Sequence, residues 1–465
     1  MSSTTGILHE NFTQVSPGDY EFNVTLYSHN PHSNFEHGAR PITLFVTEIN
    51  ISEGIDQGSL IAKLTIRDGV NLLEDMRISG GERIQIQITQ KEPLKGNAMK
   101  KHTMDHTFYI SDIMNYSRSL GIQTYELQLV SRLAYLNQGK GATHLKGAFN
   151  GSRGKCIFKL VDKVYSGNKF IDEGGGNVQG IYVHKREIDA INWLKRNAFD
   201  DGTPYYFFES LNYNTGGEEK GGIVFTSLAK FIQNHENDDL LTYSQTPYGQ
   251  STGDPVKSFQ NSQYTILHMS TNLGLSKFNQ IRKGAYSSKL TTVDISTKQV
   301  KENIFEYNNE NKLNQYKPFA TTDKAKELYN KEFGKVEGRR FYSSINSQSF
   351  ANNTSYHKPL EDSNELLKVM ATSNNLNYMS HEITVYGNSN IFPGKLILLK
   401  VPKSAPAENV DHKDLDELQS GIYLIKRINH ILKGNVYTMK VLIAKESSML
   451  DLDLKTPDPK EGVKE

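Results

Sequence analysis

Cysteines, long apolar runs and an excess of one charge are all scarce in this chain. Cys156 is the single cysteine, which excludes an intramolecular disulfide and a metal cluster built from cysteines. No stretch approaches the roughly 18 apolar residues of a membrane-spanning helix. Residues 1–10 are polar and have no apolar segment of a secretory signal. We therefore expect a protein that folds in a reducing cytoplasm and does not insert into a membrane.

The charges of the chain almost cancel. Lys and Arg number 53 and Asp and Glu number 52, which gives a formal net charge of +1. A protein whose main task is to hold nucleic acid needs a basic surplus that displaces counterions, so the composition disfavours that class. A chain of 465 residues is too long for one hydrophobic core and predicts about three or four domains.

Two stretches near opposite ends of the chain share one skeleton. Each has a glycine, three alternating apolar residues, a tyrosine with an asparagine six positions later, and a final alternating strand. Alternation of this kind is typical of antiparallel strands with one buried face, so we expect two copies of one small β-barrel or sandwich. The first copy has Gly81, Ile84, Ile86, Ile88, Tyr109, Ile110, Asn115, Tyr125, Leu127 and Leu129; the second has Gly394, Ile397, Leu399, Val401, Tyr423, Leu424, Asn429, Tyr437, Met439 and Val441.

The predicted fold class is mainly β with α+β parts: two related antiparallel β-barrel domains, a small α+β domain and long polar insertions. Within it we expect 91–106 to be an exposed loop, 113–119 a short helix, and 266–278 weakly helical. The predicted parts are a polar arm (1–17), a first tube-like β-barrel (18–132), the small α+β domain (133–232), a polar, partly helical connecting segment (233–279), a second tube-like β-barrel (280–307 and 376–449) interrupted by an insertion with short helices (308–375), and a disordered charged tail (450–465).

Several groups of residues invite a chemical interpretation, and each has a simpler one. His102, Asp105 and His106 would present two metal ligands only on a helix, and this stretch is predicted to be a loop. His29, His32 and His37 are expected to be exposed loop histidines. We therefore predict no metal site and no cofactor site.

Further candidates are glycine-rich, basic or acidic. Gly174, Gly175 and Gly176 do not precede a Lys-Ser/Thr pair, which favours a flexible connector over a phosphate-binding loop. Glu209 follows an aromatic strand and would need a second carboxylate nearby to act as a catalytic acid. No residue lies in a nucleophile-elbow setting, so no catalytic residue is predicted. The basic residues Lys146, Arg153, Lys155 and Lys159 are either a contact for DNA or an acidic neighbour, or a solvated face.

Taken together, the strand patterns resemble the central baseplate hub proteins of contractile-tailed bacteriophages, of the T-even hub type. The resemblance covers most of residues 20–446. It is carried by Ile49-Asn50-Ile51-Ser52-Glu53-Gly54-Ile55-Asp56 with Ala62 to Asp68 and Ile78-Ser79-Gly80-Gly81-Glu82, by Ala190-Ile191-Asn192-Trp193-Leu194 with Tyr206-Phe207-Phe208-Glu209, by Gly284-Ala285-Tyr286-Ser287-Ser288-Lys289-Leu290 with Asp294, and by Ser420-Gly421-Ile422-Tyr423-Leu424-Ile425.

The resemblance implies a structural virion protein without enzymatic activity. A homotrimer with two barrels per subunit would form a pseudo-sixfold ring that adapts the sixfold tail tube to the threefold central spike. Expected partners are the spike protein, the tail tube or tube-initiator proteins and other baseplate proteins, with DNA passing the lumen without specific binding. Polar insertions at 233–262 and 308–362 depart from the family pattern. Two alternatives stay open: a baseplate-borne cell-wall hydrolase, and a receptor- or glycan-binding tail module.

Overall fold

The computed structural model describes most of the chain between residues 17 and 445. The predicted polar arm, apart from residue 17, and the predicted charged tail lie outside the described residues, as do His29, His32 and His37. The described ranges are 17–28, 38–93, 99–138, 145–213, 221–235, 240–245, 259, 262–273, 282–284, 287–295, 297–306, 339–345, 359–376, 379–403, 415–416 and 418–445.

The N-terminal part is an antiparallel sheet whose strands alternate between buried and accessible side chains. Its strands pair in the order β3-β4-β7-β6-β5-β1-β2. The elements are β1 (Tyr20–Tyr27), β2 (Ala39–Pro41), a 3-10 turn (Thr43–Phe45), β3 (Val46–Gly54), β4 (Ile61–Asp68), α1 (Leu72–Asp75), β5 (Arg83–Pro93), β6 (Met99–Ser119) and β7 (Ile122–Ser131).

A small α+β unit follows, as predicted from the helical spacing near Trp193 and the aromatic strand before Glu209. One antiparallel pair, β8 with β10, lies beside a sheet in the order β11-β12-β13-β9. Ser227 caps the last helix by accepting a hydrogen bond from the Lys230 amide at 3.3 Å. The elements are α2 (Arg132–Gln138), β8 (Leu145–Ser152), α3 (Arg153–Val164), β9 (Asn168–Ile171), β10 (Asn177–Lys185), α4 (Glu187–Arg196), β11 (Phe199–Asp200), β12 (Thr203–Ser210), β13 (Gly222–Ser227) and α5 (Leu228–His235).

The C-terminal part contributes further, mostly antiparallel strands to the same large sheet and forms a separate small sheet that packs on a helix. The small sheet has the order β17-β16-β18, and Leu290 and Phe305 form its core with Leu367 and Ala371 of α6. The elements are β14 (Leu241–Ser244), β15 (Ile266–Leu273), β16 (Ser287–Asp294), β17 (Gln299–Glu306), β18 (Arg339–Ile345), α6 (Pro359–Asn375), β19 (Met379–Tyr386), β20 (Leu396–Lys400), β21 (Gly421–Lys433) and β22 (Val436–Lys445).

The strand order shows the duplication that the skeleton predicted. The first copy runs β3-β4-β7-β6-β5-β1, and the second runs β15-β19-β22-β21-β20-β14. Both copies have a β-bulge at the same place in the first and the fourth strand of this order. Gly81 and Gly394 both have positive φ, and their amides donate to Ile110 and Ile425 respectively. The one difference in direction is that β14 is parallel to β20, whereas β1 is antiparallel to β5. The expected fold class is confirmed.

The residue-by-residue match of the two copies was wrong, although the copies exist. Ile84 faces Phe108 and Ile397 faces Tyr423, so Phe108 and not Tyr109 is the counterpart of Tyr423. The third strand is displaced by two residues in the same way. A pattern of period two looks unchanged after a two-residue shift, and loops of unequal length conceal a shift of one.

Strand pairing also corrects four local expectations. The stretch 91–106, expected to be a loop, contains the paired ends of β5 and β6, and 113–119, expected to be helical, continues β6. The connecting segment 233–279 supplies β14 and β15 to the second copy, and Ile266–Leu273, expected to be weakly helical, is a strand. The hairpin around Asp294 exists, but its strands pair with each other and with β18 of the predicted insertion, not with the second barrel. Pairing with distant strands outweighs the weak local propensity of these segments.

Candidate functional site

The two copies join inside the chain through one long strand. The first residues of β21 pair with β20, and its later residues pair antiparallel with β3, from Lys433 opposite Glu48 to Arg427 opposite Gly54. The Lys433 Nζ and Glu48 Oε2 atoms lie 3.1 Å apart at the end of this pairing. One continuous sheet therefore runs through both copies, and a single apolar core extends beneath it.

The counterparts of these two strands have open edges in the same sheet: β15 lies at one end of it, and the second half of β6 extends beyond its pairing with β5. Residues 112–119 of β6 correspond to the later part of β21 but pair, among the described residues, only with β7. Strand β15 corresponds to β3 but pairs, within the same described ranges, only with β19. Met114 and Tyr116 of β6 are 45% and 52% exposed, whereas Ile428 and Leu432 of β21 are buried. Open strand edges of this length are templates for pairing with another chain.

A buried polar network fixes the internal junction. Glu53 of β3 is fully buried, and its Oε2 accepts hydrogen bonds from the Ser210 hydroxyl and the Leu211 amide, each at 2.9 Å. Its Oε1 lies 3.0 Å from Nε2 of His430 on β21. A buried carboxylate is tolerable only with such partners, so Glu53 ties both barrel copies to the α+β domain.

The network continues to Tyr437 of β22. Its hydroxyl lies 2.6 Å from the His430 Nδ1 atom. Burial, with the Glu53 carboxylate nearby, raises the pKa of Tyr437 well above its ordinary value, so the phenol stays protonated. His430 thus links the Tyr437 hydroxyl to the Glu53 side chain through its two ring nitrogens. One signal of this network is visible in the sequence, because Glu53 and His430 interrupt the apolar alternation of their strands at inward-facing positions.

A second buried network lies behind the open edge of β15. His381 of β19 has its Nδ1 atom 3.0 Å from the Thr271 hydroxyl of β15 and its Nε2 atom 2.8 Å from the Tyr423 hydroxyl. Burial lowers the pKa of His381 to about 4, so its imidazole is neutral near pH 7. The Lys445 ammonium donates to the carbonyls of Leu418 and Ser420, and burial lowers its pKa to about 8. The His381–Thr271 contact thus fixes β15 to β19 without using the outer edge of β15.

The structure separates the residues that suggested a metal site. His102 and His106 lie on the core-facing side of β6. Asp105 lies on the opposite face and accepts hydrogen bonds from Gln85 and Gln87. In the described ranges no three His, Cys, Asp or Glu side chains are grouped as a metal site.

Glu209 is a junction residue between the α+β domain and the first barrel. Its side chain is fully buried, and Oε2 accepts a hydrogen bond from the Leu60 amide at 3.3 Å. The Oε1 atom lies 3.5 Å from Nε2 of His106. The sequence indicates a carboxylate near a strand end, and only the packing of β12 against the first barrel gives it these partners from β6 and from the residue before β4.

The glycine-rich and basic candidates also have structural roles. The carbonyls of Gly174 and Gly176 accept the first backbone amides of α3, and Arg153 is buried with its guanidinium donating to the Gly175 carbonyl at 3.0 Å. Lys155 forms an exposed ion pair with Glu173. Arg153 is therefore not part of the solvated basic face that the sequence suggested. Among the described helices none is long and apolar enough to cross a membrane.

Comparison with solved structures places this fold among tail proteins. The tail protein from Neisseria meningitidis MC58 superimposes with a TM-score of 0.50 at 9% identity, over 91% of this chain and 97% of that one. The 43 kDa tail protein of prophage MuSo2 from Shewanella oneidensis gives 0.49 at 12% identity, over 92% and 99%. Prophage tail protein gp18 from Listeria monocytogenes EGD-e gives 0.43 at 6% identity, over 91% and 94%. No family model and no curated protein sequence matches the chain.

The first of these superpositions spans nearly all of both chains, so the similarity concerns the whole architecture and not one domain. Since the sequences share so few residues, it establishes the fold alone. The resemblance stated from the strand patterns is confirmed at that level.

Proposed function

We propose that this chain is a structural component of a phage tail baseplate, namely its central hub. In this role it is a homotrimer, and two barrel copies in each of three subunits form a pseudo-sixfold ring. One face of the ring meets the sixfold tail tube or its initiator, and the other meets the threefold spike protein. Other baseplate proteins contact its outside.

The observation that carries the proposal is a duplicated sheet unit with two unused edges. A chain that joins its own two copies edge to edge through β21 and β3 has already made one of the contacts that a ring repeats. Head-to-tail contacts between identical chains close into rings when the rotation permits. Three subunits would supply six similar units, which is what a sixfold tube requires.

The uncovered face of the sheet suits a lumen. Its other face is covered by the shared core and the α+β domain, so only this face can line a narrow ring. It carries charges of both signs, and among the described residues two ion pairs lie on it: Lys63 with Glu126 at 3.1 Å, and Glu48 with Lys433 at 3.1 Å. Paired charges of both signs leave little net field to retain phosphates. DNA would therefore pass during genome ejection without specific binding.

The role is structural, so no catalytic step is assigned to the chain. A hub requires extensive, non-covalent interfaces with several partners instead. The protein would be made in the host cytoplasm and assembled into the baseplate of a contractile tail, where contraction releases the spike.

The proposal is tested by negative-stain electron microscopy of the purified chain. We expect rings with six lobes around a central hole and threefold symmetry after averaging. Compact single particles, both for the chain alone and after mixing with a candidate spike protein, would overturn the hub assignment.

A further inference from the structure

We propose that the second half of β6 in one copy of this chain pairs antiparallel with β15 of the next copy, in the register of the internal β21–β3 junction. The inference rests on the proposed hub function and names the surface that closes the ring. It assigns to a second copy of the chain two edges that have no strand partner among the described residues.

The correspondence between the strands is anchored by their irregularities. In β3 the bulge lies between Val46 and Glu48, and in β15 it lies between Ile266 and His268. In β6 the bulge follows Ile110, and in β21 it follows Ile425. Because a bulge fixes where one extra residue sits, these positions align the two copies without reference to residue type.

The register between copies follows from that alignment. Inside the chain, Lys433, Leu432 and Ile431 lie opposite Glu48, Ile49 and Asn50. The residues of β21 are transferred through its pairing with β22 and the matching pairing of β6 with β7, because β6 has one extra residue before Ser117. This replaces the first three with Ser119, Arg118 and Ser117, and counting from the bulges of β3 and β15 replaces the second three with His268, Met269 and Ser270. The transferred pairs are therefore Ser119 with His268, Arg118 with Met269, and Ser117 with Ser270.

One irregularity limits where the transfer applies. Opposite β7, strand β6 has a second bulge between Met114 and Ser117, and Asn115 there has a positive φ. Strand β21 has no bulge at the matching place. The assigned register therefore starts at Ser117, where the pairing of β6 with β7 resumes.

The exposure of the edges agrees with this assignment. His268, Ser270 and Thr271 of β15 are exposed, whereas their counterparts in β3, which pairs with β21, are less accessible: Glu48 and Asn50 are half-buried and Ile51 is buried. Strand β15 carries no proline, Lys or Glu, which are the residues that protect sheet edges from other chains. An unprotected edge with a fitting counterpart on the same molecule is suited to self-pairing.

Disulfide trapping tests the register. Directly opposed residues of an antiparallel pair have Cα atoms about 4.5–5.5 Å apart, a distance that a disulfide spans. We expect Ser117→Cys with Ser270→Cys to give covalent oligomers on oxidation, ending in a closed trimer on non-reducing gels. The matched control is Ser117→Cys with Thr271→Cys, because adjacent residues of a strand point to opposite faces. Cys156 is buried and is left unchanged. Variants that carry only one of the new cysteines control for its reactivity.

The outcomes separate this inference from the hub proposal. Both proposals are supported if the wild-type chain forms rings in the microscope, the 117/270 pair forms cross-links and the 117/271 pair forms few. Rings without cross-linking of the 117/270 pair overturn the edge pairing and leave the hub proposal standing. Cross-linked open chains without rings support the pairing and contradict the closed hub. If neither rings nor cross-links form, both are wrong.

Discussion

At the scale of single residues, the stability of the barrel pair depends on a few buried polar groups. In the sequence these groups interrupt the apolar alternation of their strands. Glu53 follows Ile49 and Ile51 with the spacing of an inward-facing residue, where an apolar side chain is the rule. The structure supplies three donors to its carboxylate, from His430, Ser210 and Leu211. Its position at the junction of both copies makes it a residue that specifies how the units are joined.

We predict that Glu53→Ala lowers the free energy of unfolding by about 3–5 kcal/mol, because the buried donors lose their shared acceptor. Urea denaturation followed by circular dichroism measures the change. Glu21→Ala is the matched control, since Glu21 forms a half-exposed surface pair with Lys91 and should change stability by about 0.5 kcal/mol or less. Equal effects of the two substitutions would contradict the role of Glu53.

At the scale of elements, the two copies share not only strands but also the backbone turn that begins the first strand of the skeleton, before β5 in one copy and before β20 in the other. Gly81 and Gly394 have φ values of +87° and +94°, a region that L-residues with a side chain adopt only at a cost. Their amides close the same hydrogen bond, to Ile110 and to Ile425. The glycines at the start of each skeleton were therefore a sound signal of a repeated element.

Gly394→Ala is expected to destabilise the protein by about 1–3 kcal/mol, through its left-handed backbone and the crowding of a new methyl group. A Cβ atom at this position would lie 2.6 Å from the ring of Phe231. Thermal unfolding of the variant would show the loss. Gly69→Ala serves as its control, because a Cβ there meets nothing within 4 Å. A melting temperature unchanged by Gly394→Ala would refute the argument from strain.

At the scale of the whole molecule, the α+β domain and both barrels are held together by shared cores. One apolar cluster combines Ile55 of the first barrel, Phe208 and Phe231 of the α+β domain, and Leu396 and Leu424 of the second barrel. The Glu53 and Glu209 contacts cross the same boundaries. The described domains should therefore unfold cooperatively.

Trp193, the single tryptophan, reports on the α+β domain alone, whereas far-ultraviolet circular dichroism is dominated by the strands. We predict that both signals follow one coincident urea transition. Phe231→Ala should move both together, by about 3–5 kcal/mol, while Phe158→Ala, at a side chain 44% exposed, should move neither appreciably. Two separated transitions would show that the shared cluster does not couple the domains.

Much of the architecture could be predicted from residue patterns, and the candidate site only in part. Alternation located most strands of the first barrel and the closing strands of the second, and helical spacing located α4. Strand β15 was missed because its apolar residues do not alternate clearly, and its partner β19 lies more than 100 residues away. The open edges could not be predicted at all, since an edge is defined by which pairings a strand does not make.

The sequence by itself determined that the chain contains two copies of one sheet unit, a small α+β domain and no charge surplus, because these follow from local periodicity and composition. Only the tertiary structure decided that β21 joins β3, that the register differs from the apparent match, and that Glu53 and His430 meet. The physical reason is that a period-two pattern is the same in every even register. Hydrogen bonds, bulges and core packing between distant segments select one register from among them.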